Sequence, residues 1–576
     1  MRPETGGRSV SETSQSSHSP VDLLLKGGHV LDVFAGRFRR TDVAVSNGRI
    51  VGFGASSAQE VRDLAGSYLI PGLLDAHVHI ESSQLTPGEF ARAVVPRGTT
   101  SVIADPHEIA NVLGQPGIRY MLAASEGIPL RAYFMVPSCV PSSPFETTGA
   151  TLGPEEITEI LGWPRVLGLG EVMNYPGVIA RDPDVLAKLA AARGRPVDGH
   201  APGLFGPDLW AYVSAGPRTD HECTTVEEAR AKLAAGMTIL IREGTTARNL
   251  DALLPLLDAK SAPFVHFCTD DREPKTLLAE GHVGDIVRRA IDGGVPPEVA
   301  IAAATVHPAR TYGLADQGAI APGYRADLVI LSDLRSFAVR DVYVGGQLAA
   351  SDGAPRFEVP GESDRAARES VNVDLARLSF ALRSEGGERR GRVIDVSGSQ
   401  VVTGAAEETI PMVEGEAASD PERDLLKLAV VERHHASGRI GLGLVRGLGL
   451  ARGAIASTVA HDAHNIIVAG VTDQEMRLAV EELVRIGGGQ VVVDGDRVTA
   501  RVSLPIAGLM ADRPLAEVAA DAEKLSGAAR ELGSPLPAPF ATLSFLALPV
   551  IPHLKLTDRG LVDVDRFAPV PLFLED

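Results

Sequence analysis

Residues 71–79 decide the fold, and they read Pro71-Gly72-Leu73-Leu74-Asp75-Ala76-His77-Val78-His79. An apolar run here ends in two histidines at positions i and i+2. Side chains two residues apart on a strand point to the same face, so both imidazoles can chelate one metal ion. The same pattern also fits two ordinary polar residues at a strand end, and the choice depends on the rest of the chain.

Seven further apolar runs follow this segment and are separated by helical patterns such as residues 182–193 and 226–235. The eight runs are residues 73–79, 100–104, 131–136, 166–171, 196–200, 219–221, 237–241 and 264–269. Strands that alternate with helices in this number predict an α/β fold, a TIM-like (β/α)₈ barrel of the metal-dependent hydrolase type. A doubly wound open sheet is the alternative topology.

Polar residues occur at the C-terminal ends of the later runs, namely Glu171, His200, His221 and Asp270. In a barrel these ends meet at one mouth, so the four residues are predicted to converge with His77 and His79. Four imidazoles and two carboxylates are enough ligands for two divalent ions, with one carboxylate bridging them. Mixed nitrogen and oxygen ligation suits Mn, Fe or Zn.

The segments outside the predicted barrel have a different sequence pattern. Short alternating strands and turns fill residues 21–70 and return in residues 315–360, so the two segments are predicted to build one small β-sandwich domain. The barrel then spans residues 71–314, and residues 361–576 form an additional C-terminal α+β domain. Residues 1–20 are rich in Ser, Gly and Thr and are predicted to be a disordered tail.

Composition narrows the classes of function. The chain has 576 residues, of which 44% are hydrophobic and 22% charged, which is typical of a folded protein with two or three domains. A net charge of -19 disfavours nucleic acid as a partner. No apolar run reaches the roughly 20 residues of a membrane span. Cys139, Cys223 and Cys268 are too few for a disulfide framework, so free thiols and a cytoplasmic location are expected.

Three segments carry a family resemblance that covers about residues 21–576. They are residues 71–83, which end in Ile80-Glu81-Ser82-Ser83, residues 105–112, which begin with Asp105-Pro106-His107-Glu108, and residues 454–465, which end in His461-Asp462-Ala463-His464-Asn465. The opening His-x-His belongs to the amidohydrolase superfamily at large. The other features are similar to those of its adenine deaminase family, which the whole chain therefore resembles.

The resemblance implies a centre of two divalent metal ions, Mn or Fe in the first place and Zn as an alternative. His77 and His79 would bind one ion, His200 and His221 the other, and Asp270 would also be a ligand. Glu171 would bridge the ions, where many relatives place a carbamylated lysine. The implied activity is hydrolytic deamination of adenine, a small purine base, to hypoxanthine and ammonia by metal-bound hydroxide in purine salvage, by a homodimer.

Several roles around this centre stay open. Asp270 could accept the proton of the attacking hydroxide, and Glu222, Glu108 and Asp105 are candidate acids for the ring nitrogen and the departing amine. His107, Glu81 and Ser82 are candidate substrate contacts, although residues 105–108 also fit an Asp-Pro turn with a carboxylate at a helix N-terminus. His461, Asp462 and His464, together with His434 and His435, could close over the barrel mouth or could be packed structural groups.

Two other functions fit the same sequence. One is a cyclic-amide hydrolase of the same superfamily, similar to dihydroorotase or imidazolonepropionase, because this kind of metal centre also opens ring amides. The other is a metal-free relative that acts as a binding or scaffold protein, which the complete set of ligands disfavours.

Overall fold

The computed structural model describes residues 20–55, 57–258, 260–361, 364–384, 389–396 and 402–574. The tail expected over residues 1–20 lies outside the described residues, apart from Pro20. Among the described residues, no helix combines the length and the apolar character that crossing a membrane requires.

The first strands build a sheet around an unusually long strand. The strands are β1 (Val21–Asp32), β2 (Arg37–Ser46), β3 (Arg49–Gly52), β4 (Ala58–Asp63) and β5 (Tyr68–Pro71). The first half of β1 pairs with β4 and its second half pairs with β5, both in parallel, while β2 pairs with β1 in antiparallel fashion. The register of β1 shifts between Leu25 and Gly28, where Gly27 has a φ of 70°, a conformation that glycine adopts readily.

The next eight strands all run parallel to their neighbours. They are β6 (Leu73–Val78), β7 (Thr99–Ala104), β8 (Arg131–Val136), β9 (Val166–Val172), β10 (Val197–Gly199), β11 (Thr219–Asp220), β12 (Thr238–Arg242) and β13 (Val265–Cys268). Each matches one of the eight runs expected from the sequence. The helices between and after them are α1 (Pro87–Val94), α2 (His107–Leu113), α3 (Gln115–Ala124), α4 (Pro154–Ile160), α5 (Tyr175–Ile179), α6 (Pro183–Ala191), α7 (Gly206–Ala215), α8 (Val226–Ala234), α9 (Leu250–Leu253), α10 (Pro274–Ala279), α11 (Val283–Asp292), α12 (Pro297–Ala303) and α13 (Val306–Thr311).

The eight strands close into a ring through two seams. Five of them, β6 to β10, form one sheet, and β11 to β13 form another. At one seam the backbone N–H of Asp270 donates to the carbonyl of His77 at 3.0 Å. At the other seam the N–H of Arg218 donates to the carbonyl of Val197 at 2.9 Å. The strands follow the sequence order around the ring, so the barrel topology is confirmed and the doubly wound alternative is wrong.

A cluster of buried side chains fills the barrel interior. It includes Leu74, Ile103, Met135, Leu240 and Cys268, which come from strands around the whole ring. Side chains from opposite strands can touch only inside the barrel, so this cluster is its internal core. A second, much larger core continues from the outer helices into the C-terminal part of the chain.

The chain then returns to the first sheet. Strands β14 (Leu328–Asp333), β15 (Ala338–Val344), β16 (Gln347–Ser351) and β17 (Ala354–Pro355) extend that sheet in the order β17-β16-β15-β14-β5-β1-β2-β3, with β4 beside β1. Leu23, Val43, Leu69, Leu328 and Tyr343 share a core of their own. Two segments that are far apart in the sequence therefore build one β unit.

The C-terminal part consists mainly of an eight-stranded sheet, which is antiparallel except where β18 runs parallel to β23. Its strands and their small neighbours are β18 (Arg389–Asp395), β19 (Gly404–Ile410), β20 (Met412–Val413), β21 (Glu416–Ala417), β22 (Leu425–Val431), β23 (Ile440–Arg446), β24 (Ala454–Ser457), β25 (Ile466–Gly470), β26 (Gly489–Asp494), β27 (Arg497–Ser503), β28 (Leu554–Thr557), β29 (Gly560–Asp563) and β30 (Ala568–Pro569). The helices are α14 (Arg365–Arg368), α15 (Asp473–Ile486), α16 (Leu515–Glu531) and α17 (Pro539–Phe545).

Local sequence explains the ends of α15. Its N-cap is Thr472, whose hydroxyl accepts the N–H of Glu475, and the Glu475 side chain lies 2.7 Å from that hydroxyl in return. The helix ends at Gly487, which has a φ of 75°. These are the start and stop signals that Thr-x-x-Glu and a terminal glycine provide.

The C-terminal part lies over the barrel mouth. The N–H of Ala511 donates to the carbonyl of Gln84, and the N–H of Thr86 donates to the carbonyl of Ala511. Asp558 accepts both the N–H and the hydroxyl of Thr147, in the loop after β8. The domain boundaries that the sequence suggested stay a proposal.

Candidate active site

Six side chains meet at the C-terminal ends of the barrel strands. His77 lies in β6 and His79 directly follows it, and Glu171 lies in β9. His200 and His221 directly follow β10 and β11, and Asp270 follows β13. The Nε2 atoms of His77 and His79 are 3.2 Å apart. All of these residues except His200 are nearly inaccessible to solvent. The structure thus brings together all six residues that the sequence suggested as ligands.

Glu171 lies between the two pairs of histidines. Its Oε1 is 3.2 Å from His79 Nε2. Its Oε2 is 3.2 Å from His221 Nε2 and 2.7 Å from His200 Nδ1. One carboxylate oxygen thus faces each pair, which is the geometry that a bridging ligand needs.

Asp270 lies on the other side of the first pair. Its Oδ1 is 3.1 Å from His79 Nε2 and 3.6 Å from His77 Nε2. Burial alone would raise the pKa of Asp270, but the Arg242 guanidinium and the neighbouring histidines hold it well below its usual range. Asp270 is therefore ionised at neutral pH and can serve as a ligand or as a proton acceptor.

The donor set fits divalent cations. Donor atoms of His77, His79 and Glu171 lie within 4.8 Å of one another, as do those of His77, His221 and Asp270 and those of Glu171, His200 and His221. Burial lowers the pKa of His77 to about 4, so its ring is neutral and offers a lone pair. Buried carboxylates crowded together in this way need positive charge nearby, and metal ions would supply it.

Asp105 organises the site from behind. Its backbone carbonyl lies 2.8 Å from Nδ1 of His79, which places the proton of that ring on Nδ1 and leaves Nε2 free as a ligand atom. Its Oδ2 accepts the backbone N–H of Glu171 at 2.9 Å. Burial and the negative charge of Glu171 raise the pKa of Asp105 well above its usual range.

Arg242 is a residue of the site that sequence reasoning missed. It contacts both carboxylate oxygens of Glu222, with Nη2 at 3.0 Å from Oε2, and its Nη1 donates to Asp270 Oδ2 at 2.9 Å. Burial would raise the pKa of Glu222, but Arg242 and His200 lower it. Its position in the sequence could have indicated this role, because Arg242 lies at the C-terminal end of a barrel strand, where the proposed ligands also lie.

Glu108 joins the barrel to the C-terminal part of the chain. His461 Nδ1 lies 3.0 Å from Glu108 Oε1, and His464 Nε2 contacts Oε2. The backbone N–H of Ala460 donates to Nδ1 of His464 at 3.2 Å, so the ring proton of His464 is on Nε2 and points at the carboxylate. His464 is therefore a hydrogen-bond donor to Glu108.

The same contact changes the protonation of both partners. Burial works to lower the pKa of His461, but the carboxylates of Glu108 and Asp271 raise it to about 10. For Glu108, burial works to raise the pKa, yet His461 and His464 hold it well below its usual range. A charged imidazolium of His461 beside an ionised Glu108 is the state at neutral pH.

A cavity lies between the barrel mouth and the C-terminal part. Residues that line it from the barrel include Glu81, Ser82, Glu108 and Asp271, and residues from the C-terminal part include His461, Gln490, Phe540 and Phe545. The ring of Phe545 stacks on that of His461 with 4.7 Å between the centroids and 20° between the planes. The cavity thus has a charged wall and an aromatic wall, and it is of the kind that holds a flat polar ring.

Comparison with known proteins decides the family. Residues 68–349 match the amidohydrolase family, and residues 400–568 match the adenine deaminase C-terminal domain family. The chain is 49% identical to the adenine deaminase of Desulfatibacillum aliphaticivorans, over 96% of this chain and 97% of that protein. It belongs to the adenine deaminase family. The adenine deaminase of Methanothrix thermoacetophila is 50% identical and adenine deaminase 2 of Carboxydothermus hydrogenoformans 48% identical, each over 96% of this chain and 97% of that protein.

Not every residue considered for substrate contact in this adenine deaminase family member lies on the cavity surface. His107 is buried between the carboxylates of Glu171 and Glu108, at 3.6 and 3.5 Å. Asp462 is buried 3.9 Å from His461. His464 lies behind Glu108, and its side chain has no accessible surface. These three residues can support the groups that line the cavity, while Glu81, Ser82 and His461 face it directly.

His434 and His435 lie elsewhere in this adenine deaminase fold. Nε2 of His434 lies 2.8 Å from the carbonyl of Ala463, and Nε2 of His435 lies 3.0 Å from the carbonyl of Thr148. The contact of His435 joins the C-terminal part to the loop after β8, whereas that of His434 lies within the C-terminal part. The three cysteines are free and buried, as the sequence suggested.

Proposed function

We propose that this chain converts adenine and water to hypoxanthine and ammonia. The observation that carries the proposal is the complete set of six ligands beside a cavity whose second wall comes from the adenine deaminase C-terminal domain. The amidohydrolase family is metal-dependent, and the donor set suits two divalent ions. Mn or Fe is the proposed metal, with Zn as an alternative.

His77 and His79 would hold one ion and His200 and His221 the other, with Glu171 between them and Asp270 on the first. When bound, divalent metal lowers the pKa of water towards neutrality and so supplies a nucleophile at pH 7. The overall reaction adds oxygen to the ring carbon that bears the amino group and breaks the bond to that group. The two protons of water end on the adjacent ring nitrogen and on ammonia.

Asp270 is the proposed carrier of the first proton. It is ionised, it lies 3.1 Å from the proposed ligand atom of His79, and its second oxygen is fixed by Arg242. This arrangement holds the accepting oxygen in one orientation. Arg242 also makes the carboxylate a weaker base, so it returns the proton readily.

Of the three candidate acids, only Glu108 belongs to the proposed proton donor to the ring, which is His461 paired with Glu108. His461 was not among the acids that the sequence suggested. Glu222 is held ionised by Arg242, and Glu108 is itself ionised. Asp105 is protonated more readily, but it lies behind Glu171, and its carboxyl group accepts the backbone N–H of Glu171. His461 is charged and faces the cavity, so it can give a proton to the ring nitrogen. The anionic Glu108 favours the imidazolium form of His461, which is restored when a proton of the consumed water replaces the one given to the ring.

A substrate panel tests the proposed reaction. The purified chain, reconstituted with Mn, Fe or Zn, should release ammonia from adenine and should act poorly on adenosine, because its relatives are named as deaminases of the free base. Equal rates on both substrates would contradict specificity for the free base. Ring opening of dihydroorotate or imidazolonepropionate without ammonia release from adenine would favour the cyclic-amide alternative.

Three further expectations accompany this function. A place in purine salvage, a homodimer and a cytoplasmic location stay predictions of the sequence.

A further inference from the structure

A buried ion cluster lies below the ends of β10 and β11, on the side of the site where His200 and His221 are found. It consists of Lys232 on α8 and the carboxylates of Asp220 and Glu228. Lys232 and Asp220 have no accessible surface. The proposed reaction gives Lys232 no part, so the burial of this cation needs a structural reason.

The cluster lies at one of the two seams of the barrel. Strand β10 ends one sheet and β11 begins the next, with no ladder between them in the described structure. Two hydrogen bonds cross the seam. The N–H of Arg218 donates to the carbonyl of Val197, and the N–H of Gly199 donates to the hydroxyl of Thr219. Past these bonds, each strand runs directly into a histidine of the proposed centre.

Lys232 spans this gap. Its Nζ donates to the carbonyl of Ala201, the residue after His200, at 2.7 Å. The same atom lies 2.9 Å from Oδ1 of Asp220, the residue before His221. One ammonium group therefore joins the residues next to both histidines.

Asp220 completes the connection. Its Oδ2 accepts the N–H of Ala201 at 3.0 Å, and its Oδ1 accepts the N–H of Glu222 at 2.9 Å. Glu228 adds a further tie, since its Oε1 accepts the N–H of Gly203 at 2.8 Å and lies 2.8 Å from Nζ of Lys232. The backbone on both sides of the seam is thus fixed by one charged cluster.

We infer that Lys232 is a positioning residue, which sets the spacing of His200 and His221 and thereby the affinity of the metal position that they share. The inference rests on the proposed function, because it takes these two histidines as ligands. Groups that orient metal ligands from behind contribute strongly to affinity even though they never touch the ion. Burial works to lower the pKa of Lys232, but Asp220 and Glu228 raise it, so the cation persists at neutral pH.

The test compares Mn²⁺ binding to the full chain with Lys232 intact and with Lys232→Met. Equilibrium dialysis over a range of Mn²⁺ concentrations should show one of two bound ions weakened by roughly 10- to 100-fold and the other unchanged. Excess Mn²⁺ should restore most of kcat with adenine. Two ions bound with the affinity of the unaltered chain would overturn the inference.

A second variant separates lost positioning from an uncompensated charge. Lys232→Met alone leaves two buried carboxylates facing each other, which can unfold the protein. Lys232→Met combined with Glu228→Gln restores the formal charge of the cluster, and it should fold while still showing weakened binding of one ion. Loss of fold in both variants, or normal Mn²⁺ affinity in the double variant, would show that the lysine acts only on stability.

A matched control comes from the C-terminal part of the chain. Lys427 is also a buried lysine, with Nζ 2.7 Å from Asp473 Oδ1, and it lies in β22 away from the centre. Lys427→Met should lower the unfolding temperature and leave Mn²⁺ binding intact. If the unaltered chain binds no Mn²⁺, or if His200→Ala binds it normally, the proposed metal centre is wrong instead, and that failure is distinct from a failure of the inference about Lys232.

Discussion

At the scale of single residues, the chemistry depends on carboxylates that differ in what they contact. Asp270 is held between histidines and Arg242, whereas Glu108 is held between two histidines of the C-terminal part. Arg242 lowers the pKa of Asp270 and of Glu222, so both groups are anions at neutral pH before the reaction begins. Glu108 instead keeps a proton on its neighbour His461. The two environments support the proposal that Asp270 accepts a proton and that His461 donates one.

The role of Asp270 can be separated into binding and proton transfer. Asp270→Asn keeps the shape and one ligating oxygen but is a far weaker base. If Asp270 takes the proton, the variant should retain much of its metal while kcat falls by roughly 10²-fold or more. Metal content and kcat are measured on the same preparation. A fully metallated variant with near-normal kcat would show that another carboxylate is the base, and recovery with excess metal would show a ligand alone.

The pairing of His461 and Glu108 predicts a pH dependence. The Glu108 carboxylate raises the pKa of His461 to about 10, so removing its charge in Glu108→Gln should lower that pKa towards the ordinary value near 6.5. The protonated form is the one required, so activity of the variant should fall as pH rises above neutrality. The measured quantity is the ratio of kcat/KM of Glu108→Gln to that of the unaltered chain. This ratio should be lower at pH 8.5 than at pH 6 by roughly tenfold or more. If the pH profiles of Glu108→Gln and of the unaltered chain have the same shape, His461 is not the acid.

At the scale of elements, the cavity is completed by pieces of the C-terminal part. Helix α17 carries Phe540 and Phe545, and the loop after β24 carries His461. The hydroxyl of Ser544, also in α17, lies 3.3 Å from the backbone N–H of His461, which it accepts. Helix and loop are therefore joined, and the aromatic wall of the cavity is a single packed unit.

This wall should contribute to substrate binding more than to the chemical step. Phe545→Ala removes the ring that stacks on His461, and loss of an aromatic stacking partner costs about 1 kcal/mol or more. KM for adenine should therefore rise by roughly fivefold or more with a smaller change in kcat. Phe264→Ala is the control, because Phe264 is 56% exposed and lies outside the lining of the cavity. An unchanged KM in Phe545→Ala would exclude this wall from the binding of substrate.

At the scale of the whole molecule, one site is shared by the barrel and the C-terminal part, and its buried carboxylates must be neutralised. Asp105 accepts the backbone N–H of Glu171, His200 lies beside both Glu171 and Glu222, and Arg242 is a permanent cation in contact with Glu222 and Asp270. Metal ions that bind the folded chain alone would stabilise it by mass action. The stability of the molecule and the occupancy of its centre should therefore change together.

Removal of metal by a chelator should lower the unfolding temperature, and added Mn²⁺ should restore it. Ligand at about 100 times its dissociation constant contributes about 2.7 kcal/mol of stability. In His77→Ala the response should be smaller, because one position has lost a ligand atom. Calorimetry with and without Mn²⁺ measures both effects. An identical response in His77→Ala would remove His77 from the proposed ligands.

The sequence by itself determined the eight barrel strands and the residues at their ends. Apolar runs of strand length alternating with helical patterns specify a ring of parallel strands, and that ring brings all carboxyl ends to one mouth. His77, Glu171 and Asp270 could therefore be brought together without coordinates. Family motifs pointed to Glu108 and to residues 461–464 in the same way.

Only the tertiary structure decided which of these groups touch and what they do to one another. Glu108 and His461 lie far apart in the chain and meet because the C-terminal part packs over the barrel, a contact that no local pattern encodes. Arg242 and Lys232 look like ordinary charged residues in the sequence. In the structure Arg242 donates a hydrogen bond to Asp270, and Lys232 forms a buried ion pair with Asp220. Local periodicity fixes where a strand ends, whereas burial and charge pairing depend on residues that only folding brings within reach.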